Sequence, residues 1–169
     1  DSGLPDCPEN VSTEDVYIVD AETLRSVEGV TRIEGALIVN STVLTDLSGL
    51  ECLREIQGML FIDQSPNLRN IDGLRALQVV HGGVFAFRND QLEHIDGLSS
   101  LRTSAGVAIM ENESLQNIRG LQGLADVGVV DIVENTSLTS LEGLHFDPES
   151  LQYTRVRVIM NPLLEDIDA

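Results

Sequence analysis

Lysine is absent from this chain. Its ten basic residues are all arginines and face 28 Asp and Glu, for a formal net charge of -18. Nucleic acid and anionic lipid both require clustered positive charge, so neither is an expected partner. The imbalance suits solubility in salty or extracellular surroundings, and it leaves room for a cation or a basic partner. Tryptophan is missing too. Two cysteines, Cys7 and Cys52, are too few for a disulfide-scaffolded mini-protein and lack the spacing of a zinc site. Either they pair, which points to an oxidising compartment, or they are two packed thiols. No apolar run approaches the roughly 18 residues of a membrane helix, so no membrane insertion is expected of this segment. The opening Asp1-Ser2-Gly3-Leu4-Pro5 has neither a basic n-region nor an apolar h-region, so an export signal has been removed or was never there.

Catalytic signatures are lacking as well. His81, His94 and His145 fall at unrelated points and share no motif with a nucleophile. Gly-x-Ser-x-Gly, HExxH, glycine-rich phosphate loops and calcium-binding nonapeptides do not occur. The acidic Glu165, Asp166 and Asp168 read as a solvated edge. No enzyme activity, cofactor or metal is therefore expected.

What the chain does have is period. Gly-Leu pairs stand at Gly49-Leu50, Gly73-Leu74, Gly97-Leu98, Gly120-Leu121 and Gly143-Leu144, in steps of 24, 24, 23 and 23 residues. A repeat of that length marks a solenoid, in which each coil buries its apolar side only against its neighbours. With 169 residues and 42% hydrophobic content, one domain with a sizeable core is expected. The expected layout is a cap over 1–15 and repeats over 16–167.

Each period carries three local codes. Gly58-Met59-Leu60-Phe61-Ile62-Asp63 and its counterparts from Gly82, Val107 and Val130 alternate like strands of four or five residues. A polar turn follows, with Asn89, Asn112, Asn135 and Asn161 in one column beside Ser41 and Ser65. Leucines at three-residue spacing, such as Leu50/Leu53 and Leu74/Leu77, then form another edge or a helical turn. Val16–Val19 begins the series and Arg155–Asn161 ends it, after an insertion around His145-Phe146-Asp147-Pro148. About seven parallel strands are expected, roughly 4.8 Å apart. The asparagine column reads as turn amides that satisfy bent backbone. Its rival is glycosylation, since Asn10, Asn40, Asn112 and Asn135 all begin acceptor sequons. Two of those lie in the inward column, where no glycan fits.

Alternation assigns two faces. With Leu60, Ile62, Val84, Ala86, Val107, Ile109, Val130, Ile132, Val156 and Val158 inside, the outward set is expected to face solvent. It comprises Tyr17, Val19, Ile38, Asn40, Phe61, Asp63, Phe85, Phe87, Ala108, Met110, Asp131, Val133, Arg157 and Ile159. An outward stripe of Phe, Met, Ile and Val is unusual for a solvated sheet and matches what protein interfaces enrich. Candidate binding residues are Tyr17, Ile38, Phe61, Asp63, Phe85, Phe87, Met110, Asp131, Val133, Arg157 and Ile159. The alternative is that a flanking loop, another domain or a second copy buries this face.

The pattern Gly-x-Leu-x-Ile-x-x-x-x-Asn-x-x-Leu-x-x-Ile-x-Gly-Leu-x-x-Leu resembles the receptor L domain family. These are the leucine-rich-repeat-like domains in the ectodomains of insulin and epidermal growth factor receptors. The match runs through Gly58–Leu74, Gly82–Leu98, Val107–Leu121 and Val130–Leu144. Its regularity is closer to microbial secreted or cell-surface members. Ordinary leucine-rich repeats fit less well, because Gly or Ala replaces the leucine before the strand. The resemblance implies a mainly β solenoid: a single-stranded right-handed β-helix of about seven coils, capped, with a disulfide near its start. It also implies ligand contact through the broad sheet. No cysteine-rich module or kinase follows in this sequence, and growth-factor binding is not implied.

The resulting expectation is a non-enzymatic extracellular or cell-surface domain for recognition or adhesion, binding a protein or glycan. A structural or self-associating cell-envelope module, working as a homo-oligomer, is the alternative. A polysaccharide-active β-helix is a third reading and would need carboxylates gathered in one groove.

Overall fold

The computed structural model describes residues 7–40, 43–144 and 155–164. Within them the chain winds as a β-solenoid with two parallel sheets along its length. The narrow sheet stacks six two-residue strands in chain order: β1 (Val11–Ser12), β3 (Arg32–Ile33), β5 (Glu55–Ile56), β7 (Val79–Val80), β9 (Thr103–Ser104) and β11 (Asp126–Val127). The wide sheet stacks seven: β2 (Val16–Ile18), β4 (Leu37–Asn40), β6 (Met59–Asp63), β8 (Gly83–Phe87), β10 (Val107–Met110), β12 (Val129–Val133) and β13 (Arg155–Ile159). Seven wide strands match the expected number. The narrow sheet is the further edge expected after the leucines, reached through Ile56 and Val80, and the helical turn expected as its alternative is present as well.

The Gly-Leu pairs explain why the coils stack so closely. Three of them lie in 3-10 turns at Asp72–Leu74, Asp96–Leu98 and Arg119–Leu121. A Cβ on Gly73 would overlap the Leu47 carbonyl oxygen of the coil before it. The same holds for Gly97 against Ile71 and Gly120 against Ile95. Only glycine lets these corners touch, while each adjoining leucine is buried. Two of the three turns receive a side-chain bond from two residues upstream: Asn70 Oδ1 accepts from the Asp72 N–H at 3.1 Å and Asn117 Oδ1 from Arg119 at 3.2 Å.

Inside, each apolar column continues from coil to coil. Leu37, Leu60, Val84, Val107 and Val130 are in register, as are Val39, Ile62, Ala86, Ile109 and Ile132, and all are buried. They join Leu68, Leu92, Leu115 and Leu138 in one continuous core. The last coil departs from expectation. Val156 continues the inward register from Val130 yet is 40% exposed, because no further described coil covers it, and Val158 is only partly buried against the core.

The asparagine column is an internal ladder. Asn89, Asn112 and Asn135 are fully buried. Asn112 Nδ2 donates to the carbonyls of Ala86 (3.0 Å) and Met110 (3.0 Å). Its Oδ1 accepts the Asn89 N–H at 3.1 Å, and Asn135 and Asn161 repeat the scheme. Each amide thus satisfies backbone groups that the turn pulls out of the sheet. Ser65 heads the ladder by donating its N–H to Asn89 Oδ1 at 3.1 Å; Ser41 lies outside the described residues. Burial closes Asn112 and Asn135 to any glycan.

At the N-terminal end, Asp20 caps a short helix, α1 (Ala21–Arg25), through a reciprocal capping box with Thr23. The two cysteines are joined: Cys7 and Cys52 form a disulfide with Cα atoms 5.6 Å apart.

Candidate ligand-binding face

The outward residues of the wide sheet form two main columns. Parallel pairing aligns Tyr17, Ile38, Phe61, Phe85, Ala108, Asp131 and Arg157 in one, and Asn40, Asp63, Phe87, Met110, Val133 and Ile159 in the other. With strands about 4.8 Å apart, the face runs for roughly 29 Å. Its centre is aromatic. Phe61 meets Phe87 edge-on at 5.7 Å between centroids, and Phe85 lies 6.4 Å from Phe61 and 6.0 Å from Phe87. The three rings shield one another and are half-buried outside the core. Gly83, at φ 144°, makes this possible: a Cβ there would press on the Phe85 ring.

The structure thus brings together Ile38, the three phenylalanines and Met110, all half-buried on adjoining strands. Tyr17, 58% exposed, begins the same column two strands before Phe61, and Ile159 is exposed at the other end of the sheet. Two residues expected to face solvent do not. Ala108 is 8% exposed, in register between Phe85 and Asp131. Asp63 is 4% exposed because Arg88 of the next coil lies over it: Nε donates to Oδ1 at 3.0 Å, and Nη2 to Oδ1 and Oδ2 at 2.8 and 2.9 Å. This bidentate pair holds the Arg88 pKa above its ordinary value, chiefly through Asp63 and to a lesser degree through the charge of Glu111. Asp131 is held likewise, by Arg157 Nε at 3.0 Å and Nη2 at 3.1 Å. Both outward carboxylates are therefore neutralised within the sheet.

Arg88 was not among the expected site residues, and its neighbours reveal a second feature. Immediately after five of the seven wide strands (β6, β8, β10, β12 and β13) the chain turns through the left-handed region, at Gln64, Arg88, Glu111, Glu134 and Met160, with φ from 48° to 57°. Arg88, Asp90, Glu111, Glu113, Glu134 and Met160 line an open groove of about 520 Å³ along this rim. The signal was in the sequence, as residues flanking the asparagine column at its own interval.

Among the described residues no cluster of three or more His, Cys, Asp and Glu is placed to hold a metal ion. No helix there is long and apolar enough to cross a membrane. His81 lies beside the narrow sheet, with Nε2 3.0 Å from Glu55 Oε1.

A model of the receptor L domain matches residues 31–115, half of the chain. The matched stretch holds β3 through β10, and with them the aromatic centre of the wide sheet. The chain belongs to the receptor L domain family. Receptor L domains are extracellular, ligand-binding and non-catalytic, and the Cys7–Cys52 disulfide accords with that setting. No curated protein matches the chain.

Proposed function

We propose that this receptor L domain is a non-enzymatic recognition or adhesion module of an exported protein, taking its partner on the outward face of the wide sheet. The observation that carries this reading is the Phe61/Phe85/Phe87 cluster, flanked by Ile38 and Met110 on the solvent side of a sheet whose core is already complete without them. Interfaces draw their binding energy from such aromatic centres. A glycan-cleaving role gains little from the rim groove. Its four carboxylates are gathered but exposed, and none is enclosed in an apolar pocket of the kind a general acid occupies.

Replacing Phe85 and Phe87 with Ser tests the reading against a panel of immobilised extracellular proteins and glycans. The expected outcome is lost capture, with a melting temperature lowered by only a few degrees. A collapse of stability would show that these rings belong to the core. Concentration-dependent light scattering that responds to the same substitutions would assign the face to a second copy instead.

A further inference from the structure

The sheet face and the rim groove adjoin. Phe87, Met110 and Val133 end their strands' outward column, and the next residues, Arg88, Glu111 and Glu134, line the groove. We infer, resting on the sheet-face reading above, that the partner is a basic protein segment whose apolar side chains seat on the phenylalanines while its Lys or Arg side chains enter the groove.

Charge selects that occupant. Asp63 already neutralises Arg88, the one cation lining the groove among the described residues. Asp90, Glu111, Glu113 and Glu134 are exposed and none makes an ion pair with a cation among the described residues, Glu111 acting on Arg88 only at longer range and secondarily to Asp63. Four coils contribute to the groove, a span of about 14 Å, so neighbouring carboxylates lie within roughly one Debye length and their potentials add. The resulting field attracts and orients a cationic partner. A neutral glycan would leave these charges unanswered, and an acidic one would be repelled. A second copy brings a further -18 and no lysine, so it suits the face poorly. An arginine of the partner also has the rings themselves to stack on.

The carboxylates are suitable for substitution without loss of fold. None makes a side-chain hydrogen bond or ion pair with another described residue, and Gln at positions 111 and 134 keeps the backbone preference of Glu.

The test pans a random peptide library, displayed on phage, against the intact chain at low ionic strength, then measures synthetic copies of the enriched peptides. Enriched sequences are expected to combine an apolar residue with at least two Lys or Arg. Their affinity is expected to fall about tenfold or more for the D90N/E111Q/E113Q/E134Q variant, and similarly between about 0.05 and about 0.5 M NaCl. Phe85→Ser is expected to weaken the same peptides at every salt concentration. Peptides that need Phe85 but carry no basic residues, or that ignore the four neutralisations, would overturn the basic-partner inference and leave the sheet-face reading standing. An enriched set indifferent to Phe85→Ser, or no enriched set, would overturn both.

Discussion

The two sheets share one core and one coil spacing, yet their outward columns differ in chemistry. The narrow sheet presents Arg32, Glu55, Val79, Thr103 and Asp126 in register. Arg32 pairs with Glu34 at 2.7 Å, and Glu55 Oε1 lies 3.0 Å from His81 Nε2. Over the three coils that carry Arg32, Glu55 and Val79, the wide sheet presents Ile38, Phe61 and Phe85. The narrow sheet acts as an internal control, showing what a solvated outer column looks like on this backbone. Stacking alone does not require an apolar one. The phenylalanines therefore need an explanation outside the fold, which the proposed partner would supply.

The largest expected effect falls on what the sheets have in common. Converting Cys7 and Cys52 to Ser removes a cross-link spanning 45 residues, worth about 4 kcal/mol in the chain-entropy account. Denaturant unfolding should show it as a loss for both sheets together; a loss confined to one would break the picture of a shared core. Asn112→Ala comes next, at about 3 kcal/mol, because it strips hydrogen bonds from the Ala86 and Met110 carbonyls and from the Asn89 N–H in a fully buried site. The ladder borders the wide sheet, so hydrogen exchange should quicken in β8 and β10 before β7 and β9.

The comparison sharpens with a matched pair of outward substitutions. Phe85→Ser and Val79→Ser are each expected to cost about 1 kcal/mol or less in thermal unfolding. Only the first should impair binding to an immobilised partner. Equal losses of binding would remove the distinction between the columns.

A smaller effect comes from acid. Hydrogen bonds from Ser48 and Thr45, led by the Ser48 contacts, hold the Asp46 carboxyl below its ordinary value of 3.8. A depressed folded pKa stabilises above the unfolded value, and that contribution is lost as pH falls through the folded one. Asp46→Asn should therefore flatten the melting temperature on the acid limb below about pH 4 and leave neutral behaviour nearly unaltered.

The wide sheet and its two faces were legible because strands of four or five residues are long enough to alternate. The narrow strands are two residues each, too short to show any period, and they appear only once the coils are stacked. The ladder could be read as a column, and its burial followed from the position of its turn. The masking of Asp63 was hidden because it depends on the left-handed backbone of Arg88, which sends that side chain back onto the preceding coil. The groove escaped for a related reason. Its carboxylates are scattered along the chain and become neighbours only when residues 23 apart are superposed, as Glu111 is on Glu134.

The glycine corners also set how the molecule can change its length. Excising one whole period would rejoin a corner to an equivalent corner, with carbonyl and glycine still facing each other and the amide rungs still meeting. Removing only a few residues would slide a side chain into that contact and put every later rung out of step. The architecture thus tolerates growth or shortening in whole turns while resisting small insertions within a turn.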